Sequence, residues 1–132
     1  MKMPVIQVSD LIASRHFHWI DHLSTTNIEP EFVNDNSKTV VLVTESDFQP
    51  GYYANATFKF MQVGCEIQIF YKKNADFDIA SAEIEFQRFF VANGWQVSIS
   101  REHVYDPNTG QLTKTIHCTQ ERRQKLFTQP CI

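Results

Sequence analysis

Three histidines, His16, His18 and His22, crowd one stretch, with Asp21 beside the last. If that stretch is helical, His18 and His22 stand one turn apart on one face, a spacing a transition metal can use. No third or fourth ligand is matched to them, so surface or half-buried histidines are expected and no metal. Cys65 or Cys118 with His117 or His103 would supply a thiol nucleophile and a base. However, Cys65 falls on the apolar side of an alternating segment, and Cys118 alternates inward with Leu112 and Ile116. A thiol so placed is a small, poorly ionised hydrophobe. Asp47, Asp76, Asp78, Glu83 and Glu85 include close carboxylates suited in principle to acid–base work. Helix capping and a solvated helix face account for them, with Glu83, Glu85, Gln87 and Arg88 facing away from the core or on its margin. Arg122, Arg123 and Lys125 form a basic cluster, diluted by Glu121 and free of interleaved aromatics. It suits an acidic neighbouring subunit better than nucleic acid. The expectation is a protein without catalytic turnover, cofactor or metal.

The aromatic residues Phe48, Tyr52, Tyr53, Phe58 and Phe60 cluster around Pro50-Gly51. Large aromatic patches outside a core mark interfaces, where such side chains dominate binding energy. With Asp106 and Asn108, in a turn, and with Arg122 and Arg123, they are the candidate interface residues.

The elements must position these groups. At 132 residues, 42% hydrophobic and 13% aromatic, the chain suffices for one domain with its own core. The formal charge of −3 offers no field to attract nucleic acid. Three cysteines, Cys65, Cys118 and Cys131, are an odd number without metal-ligand spacing, which favours reduced thiols and cytosolic synthesis. The first ten residues hold too short an apolar run for a signal peptide, and no apolar stretch approaches the roughly 20 residues of a membrane span.

Ser9 or Asp10 is expected to cap a first helix, with Leu11, Ile12, Trp19, Ile20 and Leu23 on one face and an end near Asn27. Residues 27–38 read as a surface loop, and residues 38–44 as a strand covered on both faces. Residues 45–57 read as a long loop turning at Pro50-Gly51, where glycine would accept a positive φ. Residues 58–72 alternate as a strand, with Met61, Val63, Cys65, Ile67, Ile69 and Tyr71 inward. Asp76 or Asp78 caps a second helix bearing Ile79, Ala82, Phe86, Phe89 and Phe90, which Asn93-Gly94 ends. Residues 95–105 and 112–119 pair across the turn Asp106-Pro-Asn-Thr-Gly110. The expected fold is α+β: two helices on one face of a four-stranded, mostly antiparallel sheet, in the order α-β-β-α-β-β. Its other face would carry Gln62, Glu66, Gln68, Thr113, Thr115 and His117. Residues 1–120 would form the domain, and residues 121–132 a mobile or partner-ordered tail.

Within this order, Lys38-Thr-Val-Val-Leu-Val-Thr-Glu45, Val63-x-x-Glu66-Ile-Gln-Ile-Phe-Tyr71, Asp76-Phe-Asp78 with Glu83, Asn93-Gly-Trp95 and His103-x-x-Asp106-Pro carry a family resemblance. Phe17-His-Trp-Ile-Asp21 adds to it. Together they resemble the minor tail protein family of long-tailed phages and prophages of Gram-positive bacteria, over about residues 4–120. The element order resembles that of tail terminators, which close the head-proximal end of the tail tube as a six-membered ring. The resemblance implies a virion structural protein, assembled in the host cytoplasm and residing at the head–tail interface. Its partners would be copies of itself, the major tail tube protein and a head–tail connector or stopper. Genomic DNA would pass through the ring lumen without sequence-specific contact, and no membrane would be involved. Two alternatives stay open: a head-side connector or stopper, and a small ligand-binding module on a ferredoxin-like sheet.

Overall fold

A proline with its fixed φ opens the first helix, in a turn whose N–H groups lack helical partners anyway. This helix, α1, spans Pro4–Arg15 in the computed structural model, which describes residues 2–33, 35–54 and 57–123, with the side chains of 52–54, 59 and 123 outside it. His16 ends α1 in the left-handed region (φ 55°), its N–H bonded to the Ala13 carbonyl. The expected cap at Ser9 or Asp10 and the helix running past Leu23 are therefore corrected. Leu11 and Ile12 do lie on α1, but Phe17 and Trp19 enter the core from the connection that follows.

Leu23 lies instead in a short strand, β1 (His22–Thr25), which pairs in parallel with β2 (Val40–Ala54). Thr39 fastens the start of this pairing: its carbonyl accepts from the N–H groups of Asp21 and His22, and its own N–H donates to Asp21 Oδ2 at 2.8 Å. β3 (Thr57–Phe70) runs antiparallel to β2, followed by helix α2 (Ile79–Ala92). β4 (Gln96–Ser100), β5 (Val104–Tyr105) and β6 (Leu112–Arg123) complete a mixed sheet in the order β1-β2-β3-β6-β4, with β5 also on β6. Among the described residues the architecture is α+β with two helices, as expected, but the sheet has six strands and one parallel pair. The single strand expected over 95–105 is split, because residues 101–103 are drawn away from a regular ladder. Lys114 Nζ donates to the Arg101 carbonyl, and His103 reaches Glu83 on α2.

The core lies on one face of the sheet. Val63, Cys65, Ile67 and Ile69 of β3 alternate onto it with Ile116 and Cys118 of β6 and Val41 and Val43 of β2. Val5, Val8 and Ile12 of α1 and Ala82, Phe86 and Phe90 of α2 pack against them. Asp78 caps α2 by accepting from Ser81 N–H, and Gly94 (φ 86°) follows its end. Asp76 instead pairs with Lys72 at 3.3 Å. Among the described side chains, Gln62, Glu66, Gln68, Thr113, Thr115 and His117 are half-buried on the opposite face. Part of that face is covered by residues from the expected surface loop: the Phe32 ring stacks on His22 at 3.9 Å, and Glu29 accepts from His22 Nε2 and Ser24 Oγ.

Candidate functional site

The most distinctive element is a β-arm. β2 does not turn at Pro50-Gly51 but pairs with β3 residue by residue to Ala54↔Thr57. Gly51 has no positive φ; it faces Phe60, whose ring would overlap a Cβ at that position. The glycine thus lets an aromatic ring lie across the backbone of the neighbouring strand. Pro50, which cannot donate to a ladder, is tolerated because β2 is an edge strand here, β1 having ended opposite Val43. The buried apolar core contains no β2 residue after Val43 and no β3 residue before Val63, so this ladder extends beyond the helix-covered part of the sheet.

The candidate aromatics fall on this arm. Phe48 is 42% exposed, Phe58 and Phe60 are half-buried, and Tyr53 pairs by its backbone with Phe58. Tyr52 is a β2 residue, and its side chain and that of Tyr53 lie outside the described set. β6 carries the ladder on to Arg123↔Phe60, so residues 121–123 are strand where a tail was expected to begin. Residues 124–132, with Lys125 and Cys131, lie outside the described residues. Asp106 and Asn108 sit at the other end of the central strands, in a turn held by Gly110 N–H on the Asp106 carbonyl and Asn108 N–H on Asp106 Oδ1, both at 2.8 Å. The length of β6 separates them from the Phe60 rung of the arm by roughly 35 Å at a strand's rise per residue. The candidate interface residues thus form two groups, at opposite ends of one sheet.

Where the arm leaves the core, two bulges converge on His117. The register shifts once between Glu45 and Asp47 in β2 and once between Val97 and Ile99 in β4, and the extra residue is a serine each time. Ser98 Oγ donates to the His117 carbonyl and lies 3.0 Å from Nδ1; Ser46 Oγ lies 2.5 Å from Nε2. A hydroxyl with its one proton already on the carbonyl accepts from Nδ1–H, which leaves the Nε2 lone pair for the Ser46 hydroxyl. Ser46 reaches β6 across β3 because residue 64 is glycine: a Cβ there would lie 2.9 Å from Ser46 Oγ and 3.2 Å from Asp47 Oδ2. A hydroxyl on an imidazole is half of a nucleophile–base pair. Here the carboxylate, Asp47 Oδ2 at 3.7 Å, stands on the same ring nitrogen as Ser46 and not on the opposite one, so it does not orient the ring as a triad acid does. What the cluster does is tie β2, β6 and β4 together at the base of the arm.

The cysteine pairings weighed as nucleophile and base are not brought together as such. Cys65 and Cys118 are opposite one another in the β3–β6 ladder and fully buried, and burial pushes both thiols up to about 12. Glu83 departs from expectation. It is buried, because it accepts from the Tyr71 hydroxyl and from His103 Nε2, both at 2.6 Å, and so does not face solvent from α2. Its hydrogen bond, with desolvation as the larger cause, pushes the Tyr71 phenol upward. The histidine pair expected on a single helix face is divided between a loop (His18) and β1 (His22). Among the described residues no three His, Cys, Asp or Glu side chains group as metal ligands, and no helix is long and apolar enough to cross a membrane. A glycine inside an alternating strand was the sequence signal for the His117 cluster, since it marks a bulge or a close approach.

Fold and surface thus define an α+β protein with two helices among the described residues, a projecting β-arm at one end and a tight turn at the other. The chain belongs to the family described as "Protein of unknown function (DUF806)", whose model matches residues 2–122. No curated protein matches it.

Proposed function

We propose that this chain is a structural phage tail protein, a tail terminator whose subunits close into a ring, of six, at the head-proximal end of the tail tube. The resemblance carried by the motifs at 38–45, 63–71 and 103–107 motivates the reading. The observation that supports it most is the separation of candidate contact groups to the two ends of one sheet, as a protein joining two different assemblies requires. In this reading the aromatic arm docks on the tail tube protein or the next subunit, and the Asp106–Gly110 turn lies toward the head connector.

Ring closure needs two different patches on each subunit, repeated head to tail. Two open strand edges suit that need: β2 beyond Val43, and β4–β5, where Ile99, Val104 and Tyr105 are exposed. DNA would pass through the lumen without base-specific contact, and the protein would reside in the virion. Native mass measurement of the protein, free and bound to purified tail tubes, tests the proposal. A ring on the tube end is expected. A strict monomer even on tubes overturns the ring, and binding to head connectors alone favours a head-side stopper.

A further inference from the structure

We infer, on the basis of the tail reading above, that the β-arm is gripped on both of its faces by a two-walled apolar cleft of the tail tube protein. Residues directly opposite one another in a ladder share a face, and neighbours along a strand alternate. Phe48 lies opposite Val63, a core residue, so it stands on the helix side of the sheet, as does Met61. Phe60, opposite Gly51, and Phe58, opposite Tyr53, stand on the other side. Large apolar side chains thus occupy both faces of one ribbon. A sheet with helices on one face and water on the other is apolar on the first and polar on the second. β3 itself follows that rule farther along, where Ile67 and Ile69 are buried while Glu66 and Gln68 are half-buried on the opposite face.

The helices do not supply the missing cover. Phe48 is 42% exposed, although Val63 across the ladder is sealed. Phe58 and Phe60 are half-buried. Lys59 is the only charged residue in 48–54 and 57–63, so docking here strips water from little charge.

Dimensions decide between one face and two. Phe48–Ala54 paired with Thr57–Val63 makes a ribbon roughly 24 Å long and 10 Å wide at ordinary strand rise and spacing. One face offers roughly 240 Å², well under the roughly 800 Å² that a stable interface takes from each partner. Only enclosure of both faces and the open β2 edge approaches that area. The clefts of this chain do not suit such a ribbon. The mostly apolar one at Ile28, Phe32 and Val33 holds about 210 Å³, and that beside Arg101, Glu102 and Lys114 holds about 780 Å³ and is charged. The ribbon fills roughly 2,400 Å³ at the ~10 Å thickness of a packed sheet layer. A different protein therefore supplies the walls, and in the tail reading that protein is the tube.

Phe48 and Gln49 are adjacent in sequence, on opposite faces, and both exposed, so they report on the two walls separately. The test measures cosedimentation of the full chain with purified tail tubes for wild type, Phe48→Arg and Gln49→Arg. Circular dichroism checks the fold, and sedimentation velocity follows self-association without tubes. Each substitution adds charge and bulk to one face only, and each should weaken tube binding at least about 10-fold. Phe48→Gln takes the place of Phe48→Arg if the latter does not fold. Loss from one face alone overturns the inference and leaves tube docking in place. Wild-type protein that binds no tubes overturns both the inference and the tail reading. Self-association without tubes that both variants abolish assigns the arm to a second copy and likewise overturns the inference.

Discussion

At residue 64 the side chain that is missing matters more than those present. Without a Cβ, Gly64 leaves a passage through which Ser46 crosses β3 to His117. Gly64→Ala should cost about 1–3 kcal/mol by overpacking, measured by urea unfolding, and should move the His117 ring signals as the Ser46 bond is displaced. Glu29 is a second residue whose effect can be isolated. Its carboxyl is lowered from 4.5 to about 2, first by the Ser24 hydroxyl and then by His22. A group depressed in this way contributes stability that is complete above its unfolded value and is lost as pH falls through the folded one. Stability should therefore decline between about pH 4.5 and pH 2 in part through this residue, and Glu29→Gln should flatten that part of an acid titration. Such effects were only partly legible in the sequence. Asp78 as a cap and Gly94 as a stop follow from local chemistry, and both are found. Glu83 could not be read as buried, because its partners Tyr71 and His103 come from other elements, 12 and 20 residues away.

At the scale of elements, the arm shows where local signals mislead. Pro-Gly presets a turn in an isolated peptide, yet β3 offers a ladder along its whole length and Phe60 covers Gly51, so tertiary pairing prevails. The sequence signal is length: a strand over 58–72 can be paired along most of its length, and residues 45–54 pair it on one edge as β6 does on the other. The first helix shows the same limit. Trp19, Ile20 and Leu23 fit a helical period but are reached by a loop and a strand, while Pro4, placed as a first-turn proline, was the better guide. Because the arm extends beyond the core, Tyr52→Ala with Tyr53→Ala should leave the circular dichroism spectrum and unfolding midpoint nearly unchanged. Cosedimentation with tail tubes should fall sharply, since interface aromatics can each contribute about 2 kcal/mol or more. If the double variant unfolds, the tyrosines belong to the fold; if it binds normally, docking lies elsewhere, with the Asp106–Gly110 turn the next surface to vary.

For the whole molecule, Cys65 and Cys118 are natural reporters. They face one another at the centre of the sheet with thiols raised to about 12 by burial, so neither is a usable nucleophile while the core is closed. In a Cys131→Ser background, a disulfide reagent should react only as fast as the protein opens globally, and the rate should rise with urea in step with unfolding. Rapid labelling of the native protein would show that β3 and β6 separate locally. The position of β6 also bears on how the protein is made. It is the last strand in chain order among the described residues, yet it lies between β3 and β4 and supplies Ile116 and Cys118 to the core. Until its residues leave the ribosome, β3 has a free edge and the helices have an incomplete floor. Pairings such as Phe60↔Arg123 join residues nearly half the chain apart, a topology that folds slowly and exposes strand edges while it does so. Folding is therefore expected to finish only after synthesis has passed residue 123, with the nascent chain dependent on holding chaperones until then.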